Sequence, residues 1–120
     1  MNTYRKLFIP ARPPRVILIT GGTSGIGHAA ALMFAALGDC VAVTGRRGER
    51  LAELQREVDD ADLPGAILTI EADVTDAGAM QRAVDRTVSQ FERLDVVVAN
   101  AGIGHRGPLV EARWSDLETV

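Results

Sequence analysis

The sequence contains a single cysteine, Cys40, among its 120 residues. One thiol can form neither an intrachain disulfide nor a cysteine cluster for zinc, and we predict no metal site. Cys40 falls where a buried strand is expected to begin, so it is interpreted as a small buried thiol.

The sequence also has little excess of one sign of charge over the other. The formal net charge is −3 and acidic and basic residues are interspersed, so neither a nucleic-acid surface nor a membrane-binding cluster is predicted. The amino terminus offers only Leu7, Phe8 and Ile9 as an apolar run before Pro10, which is too short for a signal peptide or a membrane span. We therefore expect a cytoplasmic protein.

A glycine-rich turn is the most informative stretch. The apolar run 16–20 leads into Gly21, Gly25 and Gly27, and an alanine-rich helical pattern follows. This order predicts a strand, a tight turn and a helix, with free backbone N–H groups at the positive end of a helix dipole. Such a turn is suited to a phosphate or pyrophosphate group.

Two better-known glycine loops do not match. A Walker loop requires lysine after the last glycine, where this chain has His28, and the spacing of Gly21, Gly25 and Gly27 differs from G-x-G-x-x-G. On these residues alone, an ordinary structural turn stays an alternative to a ligand site.

The remaining pattern predicts an α/β fold, a doubly wound parallel sheet forming a partial NAD(P)-binding Rossmann fold. Four strands, at about 15–20, 40–44, 66–70 and 94–99, alternate with three helices, and the expected strand order is 3-2-1-4. Residues 1–14 are predicted to be a flexible proline-rich arm, and residues 15–120 the Rossmann domain, with a last helix beginning after Pro108.

The helices are expected to present apolar faces and recognisable ends. Gly38 is predicted to end the first helix, and either Thr75 or Asp76 to cap the third. The first helix repeats Ile26, Ala30, Met33, Phe34 and Leu37 on one face, and the third repeats Met80, Val84, Val88 and Phe91.

Arg46 and Arg47 follow the second strand, where NAD-binding folds of this architecture usually carry a carboxylate for the ribose hydroxyls. A guanidinium there can form a forked contact with a 2′-phosphate, so NADP is favoured over NAD. The alternative is that both arginines are solvated residues at the start of a helix.

The glycine turn, an Asp-Val pair and an Asn-Ala-Gly segment occur in the order found in the short-chain dehydrogenase/reductase family, which this chain resembles over residues 15–120. The resemblance implies that the loop holds the cofactor pyrophosphate, Arg46 the 2′-phosphate, Asp73 and Val74 the adenine, and that Asn100 braces the sheet beside the ribose. Asp73 and Asn100 can also be simple turn residues. The predicted cofactor-binding residues are Gly21, Thr23, Ser24, Gly25, Ile26, Gly27, Arg46, Arg47, Asp73, Val74, Asn100, Ala101 and Gly102.

The family's Tyr-x-x-x-Lys pair, which donates the proton in carbonyl reduction, has no counterpart here. The one tyrosine and the one lysine, Tyr4 and Lys6, lie two positions apart in the arm, so no catalytic residue is predicted. We expect the amino-terminal, cofactor-binding portion of an NADP-preferring reductase of carbonyl or alcohol substrates, inactive alone. A dinucleotide-binding module without catalysis and a non-functional fragment are the alternatives. The fourth strand is expected to expose an apolar edge that promotes self-association.

Overall fold

The computed structural model describes residues 12–21, 23, 25–73 and 75–100. None of the helices in these ranges is long and apolar enough to cross a membrane. The elements are β1 (Val16–Thr20), α1 (Gly25–Ala36), β2 (Cys40–Gly45), α2 (Gly48–Asp60), β3 (Ala66–Glu71), α3 (Ala77–Phe91) and β4 (Val96–Ala99). Most of the predicted arm and all of the predicted last helix lie outside the described residues.

The four strands form one parallel sheet in the order β3-β2-β1-β4, which confirms the predicted fold and order. Each crossover contains a helix, as is usual for connections between parallel strands. The strand order reverses between β1 and β4, and at such a position doubly wound sheets bind their ligands in a crevice beyond the carboxyl ends of the strands.

The two faces of the sheet carry separate apolar clusters. Ile17 and Val41 belong to the cluster packed under α1 and α2, whereas Leu18 and Ala42 belong to the cluster under α3. Both faces are covered, which explains why β1 is apolar from Val16 to Ile19 and buried at every position.

The buried faces of α1 and α3 match the predicted ones only in part, since Ala30, Phe34, Val84 and Phe91 pack against the core clusters but other predicted residues do not. In α1, Ile26 and Met33 are 81% and 42% exposed, and in α3 Val88 is 41% exposed. Most of the buried positions on these helices are small residues, which let a helix backbone approach the strands closely, and Leu32 is buried among them. The fully buried positions on these helices are Ala31, Ala35, Ala36, Ala83 and Thr87.

The helix ends agree with the sequence predictions. Gly38 has a positive φ of 91° and its N–H donates to the carbonyl of Ala35, as expected after a helix end. Of the two candidate caps for α3, Asp76 is the one used, since its carboxylate accepts from the N–H groups of Gly78 and Ala79.

A buried carboxylate joins the amino ends of the strands, on the side of the sheet away from the crevice. Asp39 is fully buried and accepts from Arg12 Nη1 at 2.7 Å and from the backbone N–H of Arg15 at 2.9 Å. Second contacts come from Arg12 Nη2 at 3.0 Å and Arg15 Nη2 at 3.3 Å. The strand β1 is thereby attached to the turn that precedes β2.

Candidate functional site

Four of the predicted site residues follow the four strands at one edge of the sheet. Gly21 comes directly after β1, Arg46 after β2, Asp73 shortly after β3 and Asn100 after β4. Because the strands are parallel, their carboxyl ends lie on the same side of the sheet. The four residues therefore lie along that side, around the crevice beyond β1 and β4.

The glycine turn has the backbone conformation that the sequence predicts. Gly21 and Gly25 have positive φ values of 69° and 57°, which L side chains rarely adopt. The N–H of Gly21 donates to the carbonyl of Thr44 at 3.0 Å, so the turn is attached to the end of β2. No described atom lies within 4 Å of the position that a Cβ of Gly25 would take, so the backbone there is open to a ligand.

Of the first residues of α1, one packs against the sheet and one is exposed to solvent. Gly27 is buried, which allows the helix to approach the strands, whereas the Ile26 side chain is 81% exposed beside the turn. An exposed isoleucine at the mouth of a crevice supplies an apolar surface for a flat ring or a sugar.

Thr23 limits the side chains that fit at Gly45, the last residue of β2. A Cβ on Gly45 would collide with the methyl group of Thr23 and lie 3.3 Å from Leu51. A carboxylate side chain at position 45 is therefore disfavoured while Thr23 keeps this place.

Arg46 and Arg47 are exposed between β2 and α2. Arg47 occupies the N-cap position of α2 with extended backbone angles, and its side chain makes no capping hydrogen bond. Two cations therefore lie at the end of β2, next to the carboxyl edge of the sheet.

Asp73 is held in a local turn. Its Oδ1 accepts from the N–H of Thr75 at 2.9 Å and from the Thr75 hydroxyl at 2.7 Å. These bonds, with a smaller contribution from the positive charge of Arg46, hold the pKa of Asp73 below its usual range. The carboxylate is thus ionised near neutral pH and can accept from an amino group.

Asn100 connects β4 to the glycine turn. Its side-chain Nδ2 donates to the carbonyl of Gly21 at 3.1 Å, and its backbone N–H donates to Thr20 Oγ1, also at 3.1 Å. Hydrogen bonds of Asn100 therefore connect the carboxyl end of β4 to the carboxyl end of β1 and to the glycine turn.

Sequence reasoning missed two positioning residues. It assigned no role to the Thr20 hydroxyl that receives Asn100, and it treated Thr75 only as a possible helix cap. The Asp-x-Thr spacing from Asp73 was a usable signal, because serine and threonine two residues after aspartate commonly close such a turn. Four predicted cofactor residues lie outside the described residues: Ser24, Val74, Ala101 and Gly102.

Comparison with known proteins identifies one family. A model described as short chain dehydrogenase matches residues 15–120, which is most of the chain. That match covers the glycine turn and every other predicted site residue.

Individual relatives and solved structures are also dehydrogenases and reductases. The chain is 42% identical over 89 residues to 11-beta-hydroxysteroid dehydrogenase 1A of Arabidopsis thaliana, covering 74% of this chain and 25% of the relative. It is 38% identical over 106 residues to a probable NADP-dependent dehydrogenase of Dichelobacter nodosus, covering 88% of this chain and 95% of that protein. The solved L-sorbose reductase of Gluconobacter frateurii, complexed with NADPH and L-sorbose, is 30% identical with a TM-score of 0.70, over 88% of this chain and 40% of the enzyme.

Proposed function

The chain belongs to the short-chain dehydrogenase family of oxidoreductases, and we propose that it binds NADP in preference to NAD at the carboxyl edge of its sheet. The observation that carries this preference is the end of β2. Arg46 is exposed there, and position 45, the last residue of β2, is a glycine and carries no carboxylate, so the end of β2 offers a cation for a 2′-phosphate. A guanidinium can form two charge-assisted hydrogen bonds with a 2′-phosphate.

The other described residues suit the remaining parts of such a cofactor. The open backbone at Gly25 and the amino end of α1 would receive the pyrophosphate. The ionised Asp73 would accept from the adenine amino group, and Asn100 would keep β4 and the glycine turn in register beside the ribose. When bound, the nicotinamide supplies hydride transfer.

For the substrate, we propose the class typical of reductases: a small-molecule ketone or aldehyde reduced reversibly to an alcohol. The names of the relatives support this, since they include a steroid dehydrogenase and a sorbose reductase. The chain spans only 25% and 40% of these two proteins, so the activity is proposed for the whole enzyme. With Tyr4 and Lys6 too close for a Tyr-x-x-x-Lys pair, the 120 residues alone would bind the cofactor without turnover. We also propose a cytoplasmic location.

Arg46→Ala tests the cofactor preference. Losing charge-assisted bonds worth about 1.5–3 kcal/mol should weaken NADP binding by about 10- to 150-fold. Binding of NAD, which has no 2′-phosphate, should change by less than about threefold. Isothermal titration calorimetry of both cofactors measures the two dissociation constants.

Arg56→Ala is the matched control, because Arg56 is an exposed arginine on α2 and its loss changes the net charge equally. NADP affinity should stay within about threefold of the unaltered chain. If both variants weaken NADP equally, the effect is one of overall charge and the proposed role of Arg46 is wrong.

We propose that the chain associates with itself through β4. In the described part of the chain, β4 pairs only with β1, and Val97 is 55% exposed on it. An apolar strand with one open edge readily pairs with another chain.

Size-exclusion chromatography with light scattering tests this association. The unaltered chain should have a mass above the 12.8 kDa of the monomer, and Val97→Lys should restore the monomer. Met33→Lys removes another exposed apolar side chain, on α1, and should leave the larger mass unchanged. A monomeric unaltered chain would refute the proposal.

A further inference from the structure

Glu71, the last residue of β3, brings a carboxylate next to the end of β2 that carries Arg46. In the sheet, Glu71 is the register partner of Gly45, the residue directly before Arg46. The two strand ends are attached to each other, because the N–H of Ala72 donates to the carbonyl of Gly45 at 2.9 Å. An acid therefore lies beside the place where the 2′-phosphate of NADP is proposed to bind.

The side chain of Glu71 extends from the strand towards the start of α2. Its Oε2 lies 3.1 Å from the position that a Cβ of Gly48 would take, and Gly48 is the first residue of α2. The preceding residue, Ile70, is buried in the cluster under α3, so the next side chain along the strand points to the opposite face, which α2 covers. The carboxylate thus lies at the amino end of α2, where the helix dipole favours a negative charge.

Arg46 lies between the two glycines that Glu71 adjoins. It directly follows Gly45 and precedes Gly48 by two positions, so its Cα lies within about 8 Å of both, at about 3.8 Å per residue. Its positive charge also acts along this edge of the sheet, since it contributes to the low pKa of Asp73. Among the described residues, no hydrogen bond or ion pair joins Arg46 to Glu71. The guanidinium and the carboxylate therefore act separately on an anion bound at this edge.

We propose that Glu71 is a specificity-determining residue that limits the preference for NADP over NAD, an inference that rests on the proposed function. A phosphate monoester carries a charge of about −1.5 to −2 near neutral pH, and a carboxylate close to it raises the free energy of the bound phosphate. NAD has a neutral hydroxyl at this position, so its affinity is insensitive to the charge of Glu71. Arg46 and Glu71 thus act in opposite directions on the ratio of the two affinities.

Glu71→Gln removes this charge and keeps the length of the side chain. NADP should bind at least about threefold, and up to about tenfold, more tightly than to the unaltered chain, because one repulsive charge at an exposed position is removed. The affinity for NAD should stay within about twofold. Isothermal titration calorimetry measures both dissociation constants. Glu53→Gln is the matched control, because Glu53 is an exposed glutamate further along α2 and its loss changes the net charge equally.

Two further measurements separate charge repulsion from a structural role of Glu71. Raising the salt concentration from about 0.05 M to about 0.5 M shortens the screening length from roughly 14 Å to roughly 4 Å, so the gain in NADP affinity should fall below about twofold. Glu71→Asp keeps the charge and shortens the side chain by one methylene, and it should bind NADP within about twofold of the unaltered chain.

The inference about Glu71 is overturned if Glu71→Gln raises NADP affinity by less than about threefold, if NAD affinity rises by the same factor, or if Glu53→Gln has an equal effect. A gain that persists unchanged in high salt also overturns it. The proposed function fails separately, through equal affinities of the unaltered chain for NADP and NAD, because the Glu71 test compares the NADP affinities of two chains. Absence of NADP binding by both chains overturns both proposals.

Discussion

Gly65→Ala is expected to lower the free energy of unfolding by about 3 kcal/mol or more. A Cβ at this position would collide with the backbone carbonyl of Asp39 and lie 2.6 Å from the carbonyl oxygen and 2.8 Å from the Cα of Ala35. These atoms are backbone and cannot move aside by a change of rotamer. The N–H of Gly65 also donates to Ala35 at 2.8 Å, so a shift that relieves the collision breaks this bond. Urea denaturation followed by circular dichroism measures the change.

Gly78→Ala is the control for this substitution. The nearest atom to its added Cβ is the Arg82 guanidinium at 3.0 Å, the end of a flexible and exposed side chain. Alanine has the higher helix propensity, so stability should change little or rise by up to about 1 kcal/mol. Equal losses in both variants would show that Gly65 is not uniquely constrained.

Asp39→Asn is expected to cost about 2–4 kcal/mol of stability at pH 7. Burial raises the pKa of Asp39, but hydrogen bonds from Arg12 and Arg15 outweigh it and hold the pKa below its usual range. The asparagine amide is uncharged and has one acceptor oxygen where the carboxylate has two. Two guanidinium groups therefore lose their counterion. Denaturation at pH 7 measures the difference from the unaltered chain.

The difference in unfolding free energy between the unaltered chain and Asp39→Asn should become smaller at acidic pH. A carboxylate with a lowered folded-state pKa stabilises the fold above its unfolded pKa of about 3.9, and this stabilisation is lost as the pH falls through the folded pKa. The stability curves of the unaltered chain and Asp39→Asn should therefore converge below about pH 4. Asp85→Asn, at an exposed position, should follow the unaltered chain at every pH within about 0.5 kcal/mol. Curves for Asp39→Asn that stay parallel to those of the unaltered chain down to pH 2 would contradict the role of the carboxylate.

The sheet and its order were predictable because local signals agreed with the global topology. Apolar strands, helical repeats and turn residues such as Gly38 and Asp76 each specify one kind of element. Right-handed crossovers then leave few arrangements of four strands and three helices. For the same reason, the residues that directly follow strands, Arg46 and Asn100 among them, could be assigned to one edge.

Contacts between distant residues were not predictable. Asp39 meets Arg12 and Arg15 only because the start of β2 lies beside the start of β1, and sequence spacing does not reveal that position. The buried face of α1 was predicted only in part, because large apolar residues such as Met33 weigh most in a periodic pattern. The buried residues of the helix are Leu32 and four small residues, and the small residues allow its backbone to lie close to the strands.

Calorimetric titration of the unaltered 120-residue chain with NADP and with NAD decides whether the carboxyl edge of the sheet recognises a 2′-phosphate. The contacts offered by Arg46 predict that NADP binds at least about tenfold more tightly than NAD. Equal affinities, or tighter binding of NAD, would contradict the proposed cofactor preference.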